Sequence, residues 1–248
     1  MPEPKAKKAT FIQPMLLLPT ATLPEGRTWS YELKLDGYRA LAVKTAGKIR
    51  LRSRNDKDFN LRYPGVVRGL ANMPDETVVD GEVVALDESG RPSFNMLQNF
   101  GSATAPVFYY VFDLLVLAGR AVMEEPLSVR RKLLECDVLP YLTEPVRHSP
   151  VLDAALSDLI ESVRTHGLEG LVAKRLDSRY EPGQRSGAWQ KMRVNRQQAF
   201  VVGGYTPGPH GFDALIFGYY DECDLIYAGR TRSGFPPHFG SAKWPVHQ

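Results

Sequence analysis

One lysine near the beginning of the chain stands where it could act as a nucleophile. The residues around it alternate apolar and polar side chains, so at the strand period of two Glu32, Lys34 and Asp36 share one face. Gly37 then allows a sharp turn, and Arg39 brings a second cation close to the lysine. The same pattern also suits a solvated amphipathic strand that ends in a turn, because alternating charge is common on half-exposed sheets. These residues alone leave both interpretations open.

Arginines recur at strand spacing in the segment that follows. A turn at residues 46–47 between two alternating segments predicts a β-hairpin. Its second arm, residues 49–54, places Arg50, Arg52 and Arg54 on one face. This arginine stripe is a candidate contact for an anionic ligand, and it also suits a solvated edge strand that is protected by charge.

Two further predicted strands carry isolated acids. Residues 78–86 place Asp80 and Glu82 on the same side as apolar neighbours, and two acids on a mostly apolar strand need an explanation. Residues 107–117 are apolar apart from Asp113, which is typical of a central strand covered on both faces. Helices are predicted at residues 64–73, after Ser93, at residues 128–136 and at residues 153–166. This mixture predicts an α+β domain.

The composition changes after Arg196. The remaining residues are rich in glycine, tyrosine and proline and contain strand-like segments at 200–205, 215–220 and 225–229. Short strands separated by turn residues are typical of a small β-barrel. We therefore predict two domains, residues 1–195 and residues 196–248. The last residues show no strand pattern, so we expect the second domain to be a partial barrel.

Charge and cysteine content limit the class of protein. The 31 lysines and arginines exceed the 28 acids by only three, which gives a mild bias toward anionic partners. Cys136 and Cys223 are too few for a disulfide framework or a zinc cluster and fit a reducing compartment. The longest apolar run, residues 107–118, is too short to span a bilayer, and no secretory signal core is visible. We expect a cytoplasmic protein with no membrane segment.

The charged segments form an ordered set that resembles a known superfamily. In chain order they are residues 34–39 (KLDGYR), 53–55 (SRN), 80–82 (DGE), 112–115 (FDLL), 169–174 (EGLVAK) and 189–193 (WQKMR). This order resembles the covalent nucleotidyltransferase superfamily of ATP-dependent DNA ligases, RNA ligases and mRNA capping enzymes. Residues 180–186 and 227–235 are most similar to bacterial end-joining ligases of the ligase D and ligase C type. The resemblance covers about residues 14–235.

The resemblance implies a fold and an activity. The fold is an α+β nucleotidyltransferase (ATP-grasp-like adenylation) domain followed by a partial oligonucleotide-binding (OB) fold. The activity is sealing of nicked or broken duplex DNA in repair and end joining. AMP passes from ATP to Lys34 and then to a DNA 5′-phosphate, after which a 3′-hydroxyl displaces it. Lys34 is the implied covalent AMP site. Its amine must lose a proton first, which nearby cations and a metal favour.

The resemblance also assigns the nucleotide contacts. Glu32 faces the adenine, Arg39 and Arg54 lie near the ribose and phosphate, and Glu82 contacts the ribose or the metal. Phe112 stacks on the adenine, and a plain core aromatic is the lesser alternative because its strand is apolar throughout.

The remaining assignments concern phosphate and metal. Glu169 and Glu82 are the implied ligands of Mg²⁺, for which Mn²⁺ could substitute. Lys174 meets the α-phosphate, and Lys191 and Arg193 form a basic pair on one wall of the phosphate site. The family often has a lysine where Arg193 stands.

One departure from the family and two rival functions complete the expectations. The terminal basic motif that orients pyrophosphate in the family is not recognisable here, and Lys243 supplies a late cation without the pattern. We therefore expect charging from ATP to be affected more than sealing. The first rival function is a non-catalytic nucleotide- or DNA-end-binding relic, and the second is an RNA ligase or capping-type enzyme. End-joining partner proteins and a monomeric state are further expectations.

Overall fold

The computed structural model describes residues 8–98, 106–194, 201–208, 211–221 and 224–232. The chain divides into two compact units, Met1–Asn195 and Arg196–Gln248. Within the described residues no helix is long and apolar enough to cross a membrane.

The first unit contains ten strands, four α-helices and a short 3-10 helix among its described residues. In chain order they are β1 (Leu18–Pro19), β2 (Trp29–Leu33), β3 (Tyr38–Thr45), β4 (Lys48–Ser53), α1 (Pro64–Gly69), β5 (Thr77–Ala85), α2 (Phe94–Gln98), β6 (Val107–Leu117), β7 (Arg120–Ala121), α3 (Leu127–Asp137), the 3-10 helix (Leu139–Tyr141), β8 (Val146–His148), α4 (Leu156–Thr165), β9 (Gly170–Arg175) and β10 (Trp189–Arg193).

These strands form two sheets. The smaller sheet has the order β1-β10-β9-β2, and the larger has the order β4-β3-β5-β6-β7 with β8 parallel to β6. The predicted hairpin is confirmed as β3 and β4, whose turn residues Ala46 and Gly47 have φ of 49° and 73°. Both residues at positive φ are typical of the type I′ turn that matches strand twist.

Apolar side chains fill three layers around the two sheets. Helices α1 and α3 contribute to a core on one face of the larger sheet. A second core, which includes Leu41, Phe112 and Trp189, lies where β3 and β6 of the larger sheet face β10 of the smaller one. Helix α4 packs its apolar side on the smaller sheet through Leu159 and Leu171. Phe112 therefore sits in the layer between the sheets.

Two helices are shorter than the sequence predicts. Helix α4 starts at Leu156 rather than at residue 153, because the backbone N–H of Leu152 donates to the carbonyl of Tyr31 at 2.8 Å and holds this segment extended. Helix α1 ends at Gly69, where close packing against the carbonyl of Thr143 leaves no room for a side chain.

The acid that interrupts the central strand has a buried partner. Both oxygens of Asp113 on β6 accept hydrogen bonds at 2.8 Å from the guanidinium of Arg130 on α3, and both side chains are fully buried. Arg130 also donates to the carbonyl of Ser178 at 2.8 Å. The charge is compensated, which a buried carboxylate requires.

The described part of the second unit is a three-stranded antiparallel sheet. Its strands are β11 (Val201–Gly208), β12 (Gly211–Asp221) and β13 (Asp224–Thr231), joined in that order. The predicted strand segments fall inside these strands, apart from residue 200, which lies outside the described residues. Several apolar side chains of this sheet are exposed, among them Val202 and Tyr227.

Candidate active site

A solvent-accessible cavity in the first unit gathers most of the predicted site residues. It encloses about 870 Å³ of empty space, counting the part open to solvent. Eight of the ten predicted residues line it: Glu32, Lys34, Arg39, Arg54, Glu82, Phe112, Lys174 and Lys191. Met15, Leu17, Val172 and Trp189 supply apolar wall.

Lys34 lies directly after β2 and points its amine at a carboxylate. Its backbone N–H donates to the carbonyl of Gly170 at 2.9 Å, which fixes the residue beside β9. Its Nζ forms an ion pair with Glu169, and only 13% of the Lys34 side chain is exposed. The other oxygen of Glu169 accepts a hydrogen bond from Nε of Arg193 at 3.1 Å. Glu169 and Arg193 thus lie next to the lysine although they do not line the cavity.

Lys174 forms the second charged contact, with Glu32. The two residues sit on neighbouring strands, and Nζ of Lys174 lies 2.8 and 2.9 Å from the two Glu32 oxygens. The ammonium also lies 4.0 Å from the ring centroid of Phe112 and 4.4 Å from that of Trp189. Burial lowers the pKa of Lys174 to about 8, against the opposing effect of Glu32. A cation over two aromatic faces is well suited to a desolvated wall.

Arg39 is the cation that pairs with Asp80, the first acid of β5. Its Nε and Nη2 each donate to an oxygen of Asp80 at 2.6 Å, and Tyr180 donates to Asp80 from its hydroxyl at 2.6 Å. The Arg39 guanidinium carbon lies 4.6 Å from the Phe112 ring centroid. Asp80 is fully buried, so this bidentate pair sets the guanidinium in one orientation. A partner for Arg39 at Asp80 was not among the sequence predictions.

Glu82, the second acid of β5, lines the cavity itself. Burial raises the pKa of Glu82 to about 7, although Arg39 and Lys34 oppose that change. A carboxyl group with this pKa is partly protonated near neutral pH, and a bound cation would shift it to the ionised form. Lys191 lies on β10 of the smaller sheet. Burial and the cationic neighbours Lys34 and Arg193 lower the pKa of Lys191.

Comparison with known proteins settles the family. Residues 14–193 match the family described as the ATP dependent DNA ligase domain. The chain belongs to the ATP-dependent DNA ligase family. The match covers every residue of the cavity and the Glu169–Arg193 pair.

Individual relatives of this ligase-family chain are named as multifunctional end-joining proteins and as DNA ligases. It is 40% identical over 212 residues to the multifunctional non-homologous end joining DNA repair protein LigD of Mycobacterium tuberculosis, covering 83% of this chain and 27% of that protein. It is 31% identical over 241 residues to DNA ligase C1 of Mycolicibacterium smegmatis, covering 90% of this chain and 68% of that one. The chain thus spans about a quarter of the length of LigD.

Solved structures give the same family assignment. A mycobacterial DNA ligase D complexed with ATP and MES is 36% identical, with a TM-score of 0.68, over 90% of this chain and 73% of that chain. The ligase domain of Mycobacterium tuberculosis LigD is also 36% identical, with a TM-score of 0.64, over 92% of this chain and 74% of that chain. The α+β nucleotidyltransferase fold expected from the sequence is confirmed.

The predicted arginine stripe does not act as one surface in this ligase fold. β4 is an edge strand, and Arg52 is paired with Asp56 at 2.7 Å and Asp58 at 3.3 Å. Arg54 turns toward the cavity, while Arg50 remains exposed. Acids from the following turn already pair with Arg52, so the shared anion contact stays a prediction.

Asp36 also departs from the predicted face. β2 ends at Leu33, so the strand period no longer holds at Asp36, which is absent from the cavity wall. Its pKa is raised by burial and by the negative charge of Glu169. The acid that accompanies Lys34 is therefore Glu169, which is distant in sequence, and not Asp36.

The carboxylates fit a magnesium ion that is shared with a nucleotide. Among the described residues no group of three or more His, Cys, Asp or Glu side chains forms a ready-made metal cage. Mg²⁺ in nucleotide sites usually takes one or two carboxylates and completes its shell with phosphate oxygens and water. Glu82 and Glu169, which interact electrostatically with each other, supply such a pair.

Proposed function

We propose that this chain is the ligase part of a bacterial-type DNA end-joining enzyme, which seals nicked or broken duplex DNA through a Lys34–AMP intermediate. The observation that carries the proposal is the Lys34–Glu169 contact beside a cavity that also presents Glu82 and Lys191. Membership of the ATP-dependent DNA ligase family supports the same chemistry. The LigD relatives support a role in end joining.

The base and sugar of ATP have complementary groups in the cavity. The Phe112 ring offers a stacking face, and the Glu32 carboxylate can accept a hydrogen bond from an exocyclic amine. Arg39 and Arg54 extend from the same wall toward the ribose and phosphates, with Glu82 near the ribose. Hydrogen bonding to a base edge together with stacking gives both affinity and base selection.

The triphosphate would meet Lys174, Lys191 and Arg193. In the first step Lys34 Nζ attacks the α-phosphorus, a phosphorus–nitrogen bond forms, and pyrophosphate leaves with the electrons of the broken phosphorus–oxygen bond. Before the attack the Lys34 ammonium gives one proton to Glu169, which contacts Nζ, and the second proton that Nζ loses on bonding to phosphorus passes to solvent. Mg²⁺ held by Glu82 and Glu169, or Mn²⁺ in its place, would neutralise charge on the phosphates.

The later steps return the lysine to its first state. An oxygen of a DNA 5′-phosphate attacks the AMP phosphorus, the phosphorus–nitrogen bond breaks, and Lys34 regains its proton. The 3′-hydroxyl of the adjacent strand then attacks the DNA phosphate and releases its proton to solvent. A phosphodiester bond forms, and AMP leaves with the electrons of the broken phosphoanhydride bond. Duplex DNA with a nick or a held break is thus the proposed substrate, with end-joining proteins as partners.

Labelling of the lysine tests this proposal directly. The chain is incubated with α-³²P-ATP and magnesium and separated on a denaturing gel. We expect an acid-labile adduct that disappears in Lys34→Ala and persists in the control Lys132→Ala, which changes an exposed lysine of α3. The same samples are then given nicked duplex, which should remove the label. An alanine variant that is labelled as strongly as the wild type would refute the assignment of Lys34.

A further inference from the structure

Arg131 of α3 lies inside the matched domain but outside the six motif segments, and it contacts a residue of the cavity wall. Its Nη2 contacts the Glu32 carboxylate, and its Nη1 donates to Ser30 Oγ at 2.9 Å. Ser30 Oγ in turn donates to the carbonyl of Lys174 at 3.2 Å. The Arg131 side chain is 8% exposed and that of Glu32 is 3% exposed. One guanidinium from a helix thus fixes two side chains of β2.

Arg131 is not needed to neutralise Glu32, because Lys174 already contacts both of its oxygens. The buried group therefore holds two cations for one carboxylate. His148 on β8 does not add charge, since burial lowers its pKa, and Asp113 on β6 is occupied by Arg130. Glu135 on α3 faces His148 at 4.0 Å and is half-exposed. The excess positive charge beside Glu32 is therefore available to a ligand in the cavity.

The orientation of Glu32 has a chemical consequence. A carboxylate held by a planar guanidinium and a strand neighbour keeps one rotamer, which an amine alone would not enforce. Glu32 lines the cavity together with Phe112, so its fixed oxygens face a base that stacks on that ring.

We propose that Arg131 is a positioning residue for nucleotide selection: it holds Glu32 where the carboxylate recognises the 6-amino group of a purine nucleoside triphosphate. This inference rests on the proposed function. It assigns the selection of the adenine base to a residue of α3 that does not touch the substrate.

The test compares two nucleotides that differ only in that amine. The rate of Lys34–AMP formation is measured over a concentration series of ATP and of purine riboside triphosphate, which lacks the 6-amino group. In Arg131→Met we expect kcat/KM to fall at least tenfold with ATP and far less with the analogue, so that the preference for ATP is lost. Arg131→Lys should recover part of it. The matched control Lys132→Met, at the next and exposed position of α3, should behave as the wild type.

Two outcomes would overturn the role of Arg131. Retention of the wild-type preference in Arg131→Met would show that Glu32 is placed without it. An equal loss with both nucleotides would show a general structural role. A wild-type chain that forms no adduct with either nucleotide would instead refute the ligase function itself, so the two failures are distinguishable.

A double variant covers the case in which Arg131→Met does not fold. Glu32→Gln leaves two cations without a carboxylate, and adding Arg131→Met removes one of them, so the double variant should be the more stable. If Arg131 acts through Glu32, adding Arg131→Met to Glu32→Gln causes no further loss of ATP preference. A further loss in that background would contradict the proposal.

Discussion

Neutralising Asp80 should destabilise the fold and disable nucleotide binding through Arg39. The Asp80→Asn side chain has the same shape but no charge, so it leaves the Arg39 guanidinium without its hydrogen-bonded carboxylate next to the Phe112 ring. Asp80 is fully buried and the Arg39 side chain is 14% exposed, so solvent cannot replace the lost carboxylate. Breaking one side of a buried pair costs about 3–5 kcal/mol. The amide oxygen can still accept from Tyr180, which confines the loss to the arginine.

Urea unfolding followed by circular dichroism measures this cost. With a urea slope of about 2 kcal/mol per molar, a loss of about 4 kcal/mol lowers the midpoint by about 2 M. Asp56→Asn is the matched control, because Asp56 pairs with Arg52 on the exposed edge strand, and it should change the midpoint little. Adenylyl transfer should fall in Asp80→Asn even at urea-free conditions where the variant is folded.

The pairing itself is tested by the double variant Arg39→Met with Asp80→Asn. Removing both charges leaves no uncompensated ion, so the double variant should recover stability relative to Asp80→Asn while staying inactive. If the double variant is no more stable than Asp80→Asn, or if Asp80→Asn loses less than about 1 kcal/mol, the reasoning from the buried pair fails.

Two further predictions concern other charged groups of the site. Glu169→Gln should slow Lys34–AMP formation by about 100-fold, because proton acceptance and charge stabilisation at the phosphate together are worth several kcal/mol. The control Glu161→Gln, which changes an exposed residue, should leave the rate unchanged. An unchanged rate of Glu169→Gln at saturating magnesium would count against the role of Glu169. Lys174 has a pKa of about 8 in the folded chain against an ordinary 10.5, so between those values the unfolded state binds more protons and the free energy of unfolding rises with pH. Lys174→Met should flatten the rise of the urea midpoint from about pH 8 to 10. A slope equal to that of the wild type would show that burial does not lower the pKa of Lys174.

Local chemistry made much of the fold predictable from the sequence. The β3–β4 hairpin follows from alternation and from a two-residue turn at residues 46–47, and the central strand follows from its apolar run. The start of α4 was wrong by three residues, because its first residues are held by the bridge from Tyr31 to Leu152. That contact joins residues far apart in sequence, and no local pattern reports it.

The candidate site divides in the same way. Cavity-lining residues such as Lys34 and Glu82 were predicted because they stand in segments that resemble a superfamily. The charged partners of two other cavity residues, Glu32 and Arg39, were not predicted. Arg131 contacts Glu32 across 99 positions of sequence, and Asp80 contacts Arg39 across 41. The sequence did contain one indication of such pairs, because an acid on an apolar strand needs a cationic partner. It does not identify which lysine or arginine is that partner.

The contacts around Phe112 show why these partners matter for the site as a whole. Phe112 belongs to the larger sheet, whereas Lys174 and Trp189, which lie over it and beside it, belong to the smaller sheet. Arg39 of the larger sheet also lies over these rings, 4.6 Å from the Phe112 centroid and 5.7 Å from the Trp189 centroid. Each cation is therefore placed by the docking of two sheets and is held in orientation by a carboxylate of its own sheet. A nucleotide site between two sheets forms only when both sheets have packed. The core that stabilises the fold therefore also assembles the charged side chains of the site, and protein carboxylates compensate the cations in the folded chain.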